Sequence, residues 1–312
     1  MTSNLSRNNR IGVSSAIGAS VFFSINDMTV KLLSGDYALH EIIFIRSIIG
    51  MVVLMAVIVP LEGGWVVLRT KRLPMHILRG LFVVVANMTF FLALAALPLA
   101  DAVAIFFISP LIITIFSVVF LGETVGPRRW IAVLMGLAGV IVMVRPGSAS
   151  FQLAALLPLI AAVAYAGLQT LTRKIGNTEK AGTLTFYIQV TFILVGAIMG
   201  LTVGDGRFAG TGDVSLDFLL REWVWPSNGD WWLLIMLGVS STFAGYFISQ
   251  AYRLCEAGLA APFEYTAMVL AIFWGFFVFG EWPDKIAWIG ISLIIGGGLF
   301  MLWREAVASR AQ

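Results

Sequence analysis

The 312 residues are 59% hydrophobic and 12% charged, with a mean hydropathy of +0.94 and a net charge of +3. A soluble domain carries about twice that share of charge, so a water-soluble fold is excluded and the bilayer must act as part of the solvent. The basic residues sit in short connecting segments, which reads as a membrane-orientation signal and excludes nucleic acid as a partner.

A span needs about 20 mostly apolar residues, and ten such runs follow one another at 11–33, 41–60, 75–97, 100–121, 127–144, 151–172, 182–204, 231–252, 258–279 and 284–303. The N-terminal MTSNLSRNNR has the form of a signal-peptide start, but the run beginning at Ile11 is read as the first span. With the N-terminus placed in the cytoplasm, fourteen of the twenty Lys and Arg residues fall in inside segments and five in outside segments. Both termini are therefore expected to be cytoplasmic. The one long loop, about 205–230, then lies outside. It is acidic and rich in tryptophan, which suits anchoring at the lipid headgroups, with a lid over a binding site as the alternative.

A charged side chain inside hydrocarbon costs about 2.5–3.5 kcal/mol on insertion scales and so marks a candidate site. In chain order, the first span carries Asn26 and Asp27 and the second carries Arg46. Helical rise puts Asp27 and Arg46 at the same depth, ~8–9 Å below the outer surface, so they are expected to face one another directly or across a cavity. A structural ion pair, or a pair between Asp27 and Lys31, is the competing reading. The third span contributes Asn87 and the fourth Phe106. Pro110 removes the hydrogen bond to the Phe106 carbonyl and so either frees it to line a cavity or merely kinks the helix. Tyr165 and Gln169 follow in the sixth span, Tyr246 and Gln250 in the eighth, and Glu264, Tyr265 and Trp274 in the ninth. Glu264 falls at the mirror depth, ~9 Å above the inner face. It is read as a counter-charge for an organic cation or amino group among aromatic rings, or as a proton-coupling group, against plain exposure to the inner vestibule. Gly196, Gly200 and Gly204 in the seventh span read as close packing or a dimer face, so the chain is either a monomer or a homodimer.

The chain also repeats itself. Gly122, Glu123 and Trp130 return as Gly280, Glu281 and Trp288, each 158 positions on, and Gly80 returns as Gly238. DAVAIFFISPLIITIFSVVFLGE (101–123) parallels LAAPFEYTAMVLAIFWGFFVFGE (259–281). Each half, 1–146 and 147–312, holds five spans. An odd number turns the second half upside down, so the expected fold is an all-α integral membrane protein of two five-helix inverted repeats. Halves related in this way can exchange conformations, which opens a central cavity to each side in turn.

The doubled Gly-Glu pairs (122–123 and 280–281) on ten spans resemble the drug/metabolite transporter superfamily, in its EamA-type branch. Within it, Asn26-Asp27 with Lys31, Arg46 in FIRSII, HILRG (76–80), Ala261-Pro262 with Phe263 and Tyr265, and Pro283-Asp284-Lys285 are similar to bacterial S-adenosylmethionine uptake carriers. The chain departs from that group at Glu264, where those carriers have a basic residue, which leaves the charge of the substrate open.

The reading is a secondary transporter for a small polar metabolite, amino-acid-like or cationic, with an S-adenosylmethionine-like molecule among the candidates, in the bacterial inner membrane with lipid around it. An exporter of amino acids or drugs is the alternative within the superfamily. Of the other classes, a channel would need a continuous polar path, and the polar residues here are clustered. A membrane enzyme is disfavoured because His40 and His76 sit near span ends and cannot build a metal triad, and no nucleophile-elbow, metalloprotease or phosphate-loop motif is present. No cofactor or metal is expected, and Cys255, the lone cysteine, has no disulfide partner.

Overall fold

Lipid offers no hydrogen bonds, so an apolar chain must satisfy its backbone within each span, and helices do so segment by segment. A computed structural model describes residues 2–122, 126–146, 152–255 and 260–310, and every regular element among them is helical. The stretch holding Glu123 lies outside the described residues. Seven helices are long and apolar enough to cross a membrane: Asn8–Leu33, Leu39–Glu62, Leu73–Ala96, Leu99–Leu121, Leu153–Ile175, Ala181–Val203 and Trp231–Leu254. Three shorter apolar helices, Leu134–Val144, Phe263–Phe279 and Lys285–Gly297, complete the set.

The helices are named α1 (Thr2–Leu33), α2 (Leu39–Glu62), α3 (Leu73–Ala96), α4 (Leu99–Phe106), α5 (Ser109–Leu121), α6 (Pro127–Val144), α7 (Leu157–Ile175), α8 (Ala181–Val203), α9 (Val214–Leu220), α10 (Trp231–Leu254), α11 (Thr266–Phe279) and α12 (Lys285–Arg310). Large apolar side chains such as Leu201 (89% exposed) and Phe277 (67% exposed) point away from the interior, as lipid-facing residues should. The principal packing partners are α1 with α10, α6 with α12, α3 with α7, α2 with α8, α2 with α10 and α5 with α7.

The repeated glycines have separate tasks. Gly122 (φ 70°) and Gly280 (φ 65°) end α5 and α11 in the left-handed conformation, which costs glycine no Cβ clash. Gly80 and Gly238 permit close crossings. A Cβ on Gly80 would lie 2.6 Å from Thr191 Oγ1 of α8, and one on Gly238 would lie 2.6 Å from Ile49 Cγ2 of α2.

Two sequence expectations are refined. The fourth span breaks between α4 and α5 with Pro110 in the first turn of α5, but the carbonyl engaged across the break is that of Phe107, which accepts from Tyr265 Oη at 3.4 Å. In α8 the faces of Gly196 and Gly200 are covered by Phe44 and Trp223 of the same chain, so these positions serve internal packing. The long loop folds back onto the helix ends. Its Ser215 donates to Leu92 O at 2.8 Å, Arg221 donates to Ser34 O at 3.0 Å, and Phe218 is fully buried.

Candidate functional site

Helical periodicity brings side chains from several elements onto one central space. Ser20, Phe23, Asn26 and Asp27 share a face of α1; Asn87, Phe90 and Phe91 share one of α3; Thr185, Gln189 and Phe192 share one of α8. With Arg46 of α2, Phe106 and Phe107 of the broken fourth span, Tyr165 and Gln169 of α7, and Glu264 of the turn Ala261–Tyr265, they line a cavity of about 120 Å³.

Arg46 is 2% exposed, and its guanidinium is engaged at its edges and its faces. Nη1 donates to Asn26 Oδ1 at 3.3 Å and Nη2 to Asn87 Oδ1 at 3.1 Å. The Phe91 and Phe192 rings each lie 5.0 Å from the guanidinium carbon, within cation–π range. Asp27 lines the same cavity without a hydrogen bond to Arg46 among the described residues, so its carboxyl group and the guanidinium share one space. Lys31 turns away from Asp27. Its Nζ lies 3.0 Å from Glu281 Oε1, while the other oxygen of Glu281 accepts from the Leu99 amide at 2.9 Å.

Glu264 is held at the other end of the space. Tyr165 Oη donates to Oε2 at 2.7 Å, Tyr252 Oη donates to Oε1, and Ser20 Oγ donates to the Glu264 carbonyl at 3.4 Å. Only 6% exposed, Glu264 faces the cavity rather than an aqueous vestibule. Each carboxylate oxygen keeps a lone pair beyond its phenol, so a cation or an amino group in the cavity still has an acceptor there.

Of the twelve residues singled out in the sequence, Asn26, Asp27, Arg46, Asn87, Phe106, Tyr165, Gln169 and Glu264 line this one cavity. The other four do not. Tyr246 packs against the small cluster of Leu54, Ile58 and Val59. Gln250 accepts from Arg253 Nη1 at 3.4 Å. Tyr265 stands behind the wall, its ring 5.2 Å from that of Phe107, and Trp274 Nε1 donates to Ser24 Oγ at 3.4 Å. Span boundaries give depth but not rotation about the helix axis, and rotation decides these four. Two residues were overlooked. Gln189, whose Nε2 donates to Thr242 Oγ1 at 3.0 Å, stands mid-span in α8 and was detectable by its polarity alone. Tyr252, near the end of α10, gave no signal of its own.

Away from the cavity, fully buried Arg79 donates to Thr172 Oγ1 at 3.1 Å and to Leu184 O at 3.3 Å, and His76 lies 3.6 Å from Glu179 and stacks on Tyr187. Just ahead of the apolar helix Lys285–Gly297, Asp284 is held below the usual carboxylate range, chiefly by the Arg145 guanidinium and then by the Ala287 amide. No group of three or more potential metal ligands occurs among the described residues.

The family model described as the EamA-like transporter family matches residues 10–145 and again residues 152–303. The chain belongs to the EamA-like transporter family. It is a multi-pass membrane transporter, and its relatives are named as transporters rather than enzymes. An S-adenosylmethionine uptake transporter of Rickettsia prowazekii (strain Madrid E) is 28% identical, covering 90% of this chain and 89% of its own. A riboflavin transporter of Brucella anthropi is 27% identical over 86% of this chain and 89% of its own. A pseudopaline exporter of Pseudomonas aeruginosa is 28% identical over 91% and 93%. One solved crystal structure, 22% identical, matches with a TM-score of 0.65 over 98% of this chain and 99% of its own, which shows a shared fold.

Proposed function

We propose that this EamA-like transporter is a secondary carrier of the bacterial inner membrane. It moves a small polar metabolite, amino-bearing or cationic, by alternating access between two inverted five-helix repeats with cytoplasmic termini. The observation that carries this reading is the position of the cavity between the halves. Asn26, Asp27, Arg46, Asn87 and Phe106 come from the first half; Tyr165, Gln169, Gln189 and Glu264 come from the second.

The packing supports the two-fold relation. Under the repeat, α1 corresponds to α7, α2 to α8, α3 to α10 and α6 to α12. The pair α1–α10 then maps onto α7–α3, while α2–α8 and α6–α12 map onto themselves. The family model, matching once per half, supports the same division.

Named relatives take up S-adenosylmethionine or riboflavin, or export pseudopaline. The carboxyl groups of Asp27 and Glu264 beside aromatic rings favour the amino-bearing class for this chain, with S-adenosylmethionine the first candidate to test. The purified protein in liposomes should show saturable counterflow of labelled S-adenosylmethionine or a basic amino acid, in either orientation of the gradient. Unsaturable flux would indicate a channel and overturn the carrier.

A further inference from the structure

Buried donors without acceptors are uncommon in folded proteins, and two residues of the cavity wall carry one each. Arg46 Nε and Asn26 Nδ2 are both buried with no acceptor among the described residues, although their residues are already joined through Nη1 and Oδ1 at 3.3 Å. The faces of the guanidinium are covered by Phe91 and Phe192, so only its in-plane edges remain to receive a ligand. A planar edge of fixed N–H groups matches a carboxylate, whose two oxygens accept in parallel.

The rest of the wall restricts what can bring that carboxylate. Asp27 and Glu264 face the same space, and two carboxyl groups repel a polyanion such as a phosphate ester. The ligand must therefore carry positive charge as well. Ser20, which donates to the Glu264 carbonyl, lies six residues before Asn26 on α1. The two ends of the site are thus about 9 Å apart along the helix.

We infer that Arg46 and Asn26 form a carboxylate subsite, and that the transported molecule is an amino acid with a second cationic group directed toward Glu264. This rests on the carrier reading above and narrows its substrate class. Asp27 stands beside the subsite and faces the ammonium group next to the bound carboxylate.

The test uses matched pairs of probes differing only in the carboxylate: S-adenosylmethionine with its decarboxylated form, L-arginine with agmatine, and L-lysine with cadaverine. Thermal shift and counterflow are measured on the full-length protein. In the wild type the acid member of a pair should bind at least about tenfold more tightly than its amine. Asn26→Asp, nearly isosteric, gives Arg46 a carboxylate of the protein's own, so it should fold, retain the amine and lose the preference for the acid. Arg46→Gln should lose the same preference. If wild-type protein binds both members equally, or if Asn26→Asp keeps the preference, the subsite is overturned while the carrier stands. If no pair stabilises or exchanges, the amino-bearing reading and the subsite fall together.

Discussion

Phe107 and Tyr265 are separated by 158 positions, the offset of the repeat, and they touch. The tyrosine hydroxyl donates to the Phe107 carbonyl at 3.4 Å and the ring centroids are 5.2 Å apart. Under the proposed inverted repeat each is the other's counterpart, and their contact puts the two-fold axis of that reading between them. The contact also satisfies the carbonyl exposed where the fourth span breaks, so Tyr265→Phe removes one hydrogen bond and leaves packing intact. The expected cost is about 1 kcal/mol, read as a lowered midpoint in detergent unfolding. An unchanged midpoint would mean that the break is satisfied some other way.

The Glu264 carboxylate is fixed by two phenols from α7 and α10, which makes its charge the functional variable and its position the structural one. Glu264→Gln should fold and reach the membrane yet show no measurable exchange, because an amide still accepts one phenol but no longer counters a cation. Tyr165→Phe and Tyr252→Phe, which loosen the carboxylate without removing it, should each raise the half-saturating substrate concentration roughly three- to tenfold. Full transport by the glutamine variant would eliminate the counter-charge role.

Lys31, Glu281 and the Leu99 amide tie α1 to the turns that start α4 and α12. Breaking this tie should favour the conformation in which that end of the cavity is open. With Cys255 replaced by alanine and a cysteine placed at Asn87, a membrane-impermeant thiol reagent should label Glu281→Gln protein about tenfold faster than its parent. Equal rates would show that the ion pair does not hold that end closed.

Arg145 reaches both oxygens of Asp284, at 2.5 and 2.6 Å, while Asp284 Oδ1 also accepts from the Ala287 amide at 2.7 Å. A carboxylate lowered in the folded state contributes stability above its unfolded value and loses it as pH falls through the folded value. The contribution is therefore present at neutral pH and fades below about pH 4. Because Asp284 is more than half exposed, solvent screens the pair and the effect is small. The melting-temperature gap between wild type and Asp284→Asn should close on acidification and shrink in 1 M salt. A gap insensitive to both would assign Asp284 to helix capping alone.

Much of this arrangement was legible because hydrocarbon makes polar residues conspicuous. Asp27, Arg46 and Glu264 stand out in apolar runs, and Asp27 and Arg46, which the span ends put at one depth, both line the one cavity. The partners of Arg46 were less legible. Asn26 and Asn87 become its ligands only through the rotation of α1 and α3, which no boundary count supplies. Rotation likewise turned Tyr246 and Trp274 away, and Lys31, four residues from Asp27, found Glu281 from the far end of the sequence instead. Local spacing finds what shares a helix face. Contacts across the repeat follow from how the halves pack.

The cavity wall contains two carboxyl groups and one guanidinium. With both carboxyl groups ionised, the compartment holds one surplus negative charge, and a passenger with one net positive charge brings the sum to zero. The electric field across the membrane acts on one unpaired elementary charge with about 2.3 kcal/mol per 100 mV, and hardly at all on a neutral whole. The loaded stroke would then be indifferent to voltage, and the potential of the cell would set the pace of the unladen return.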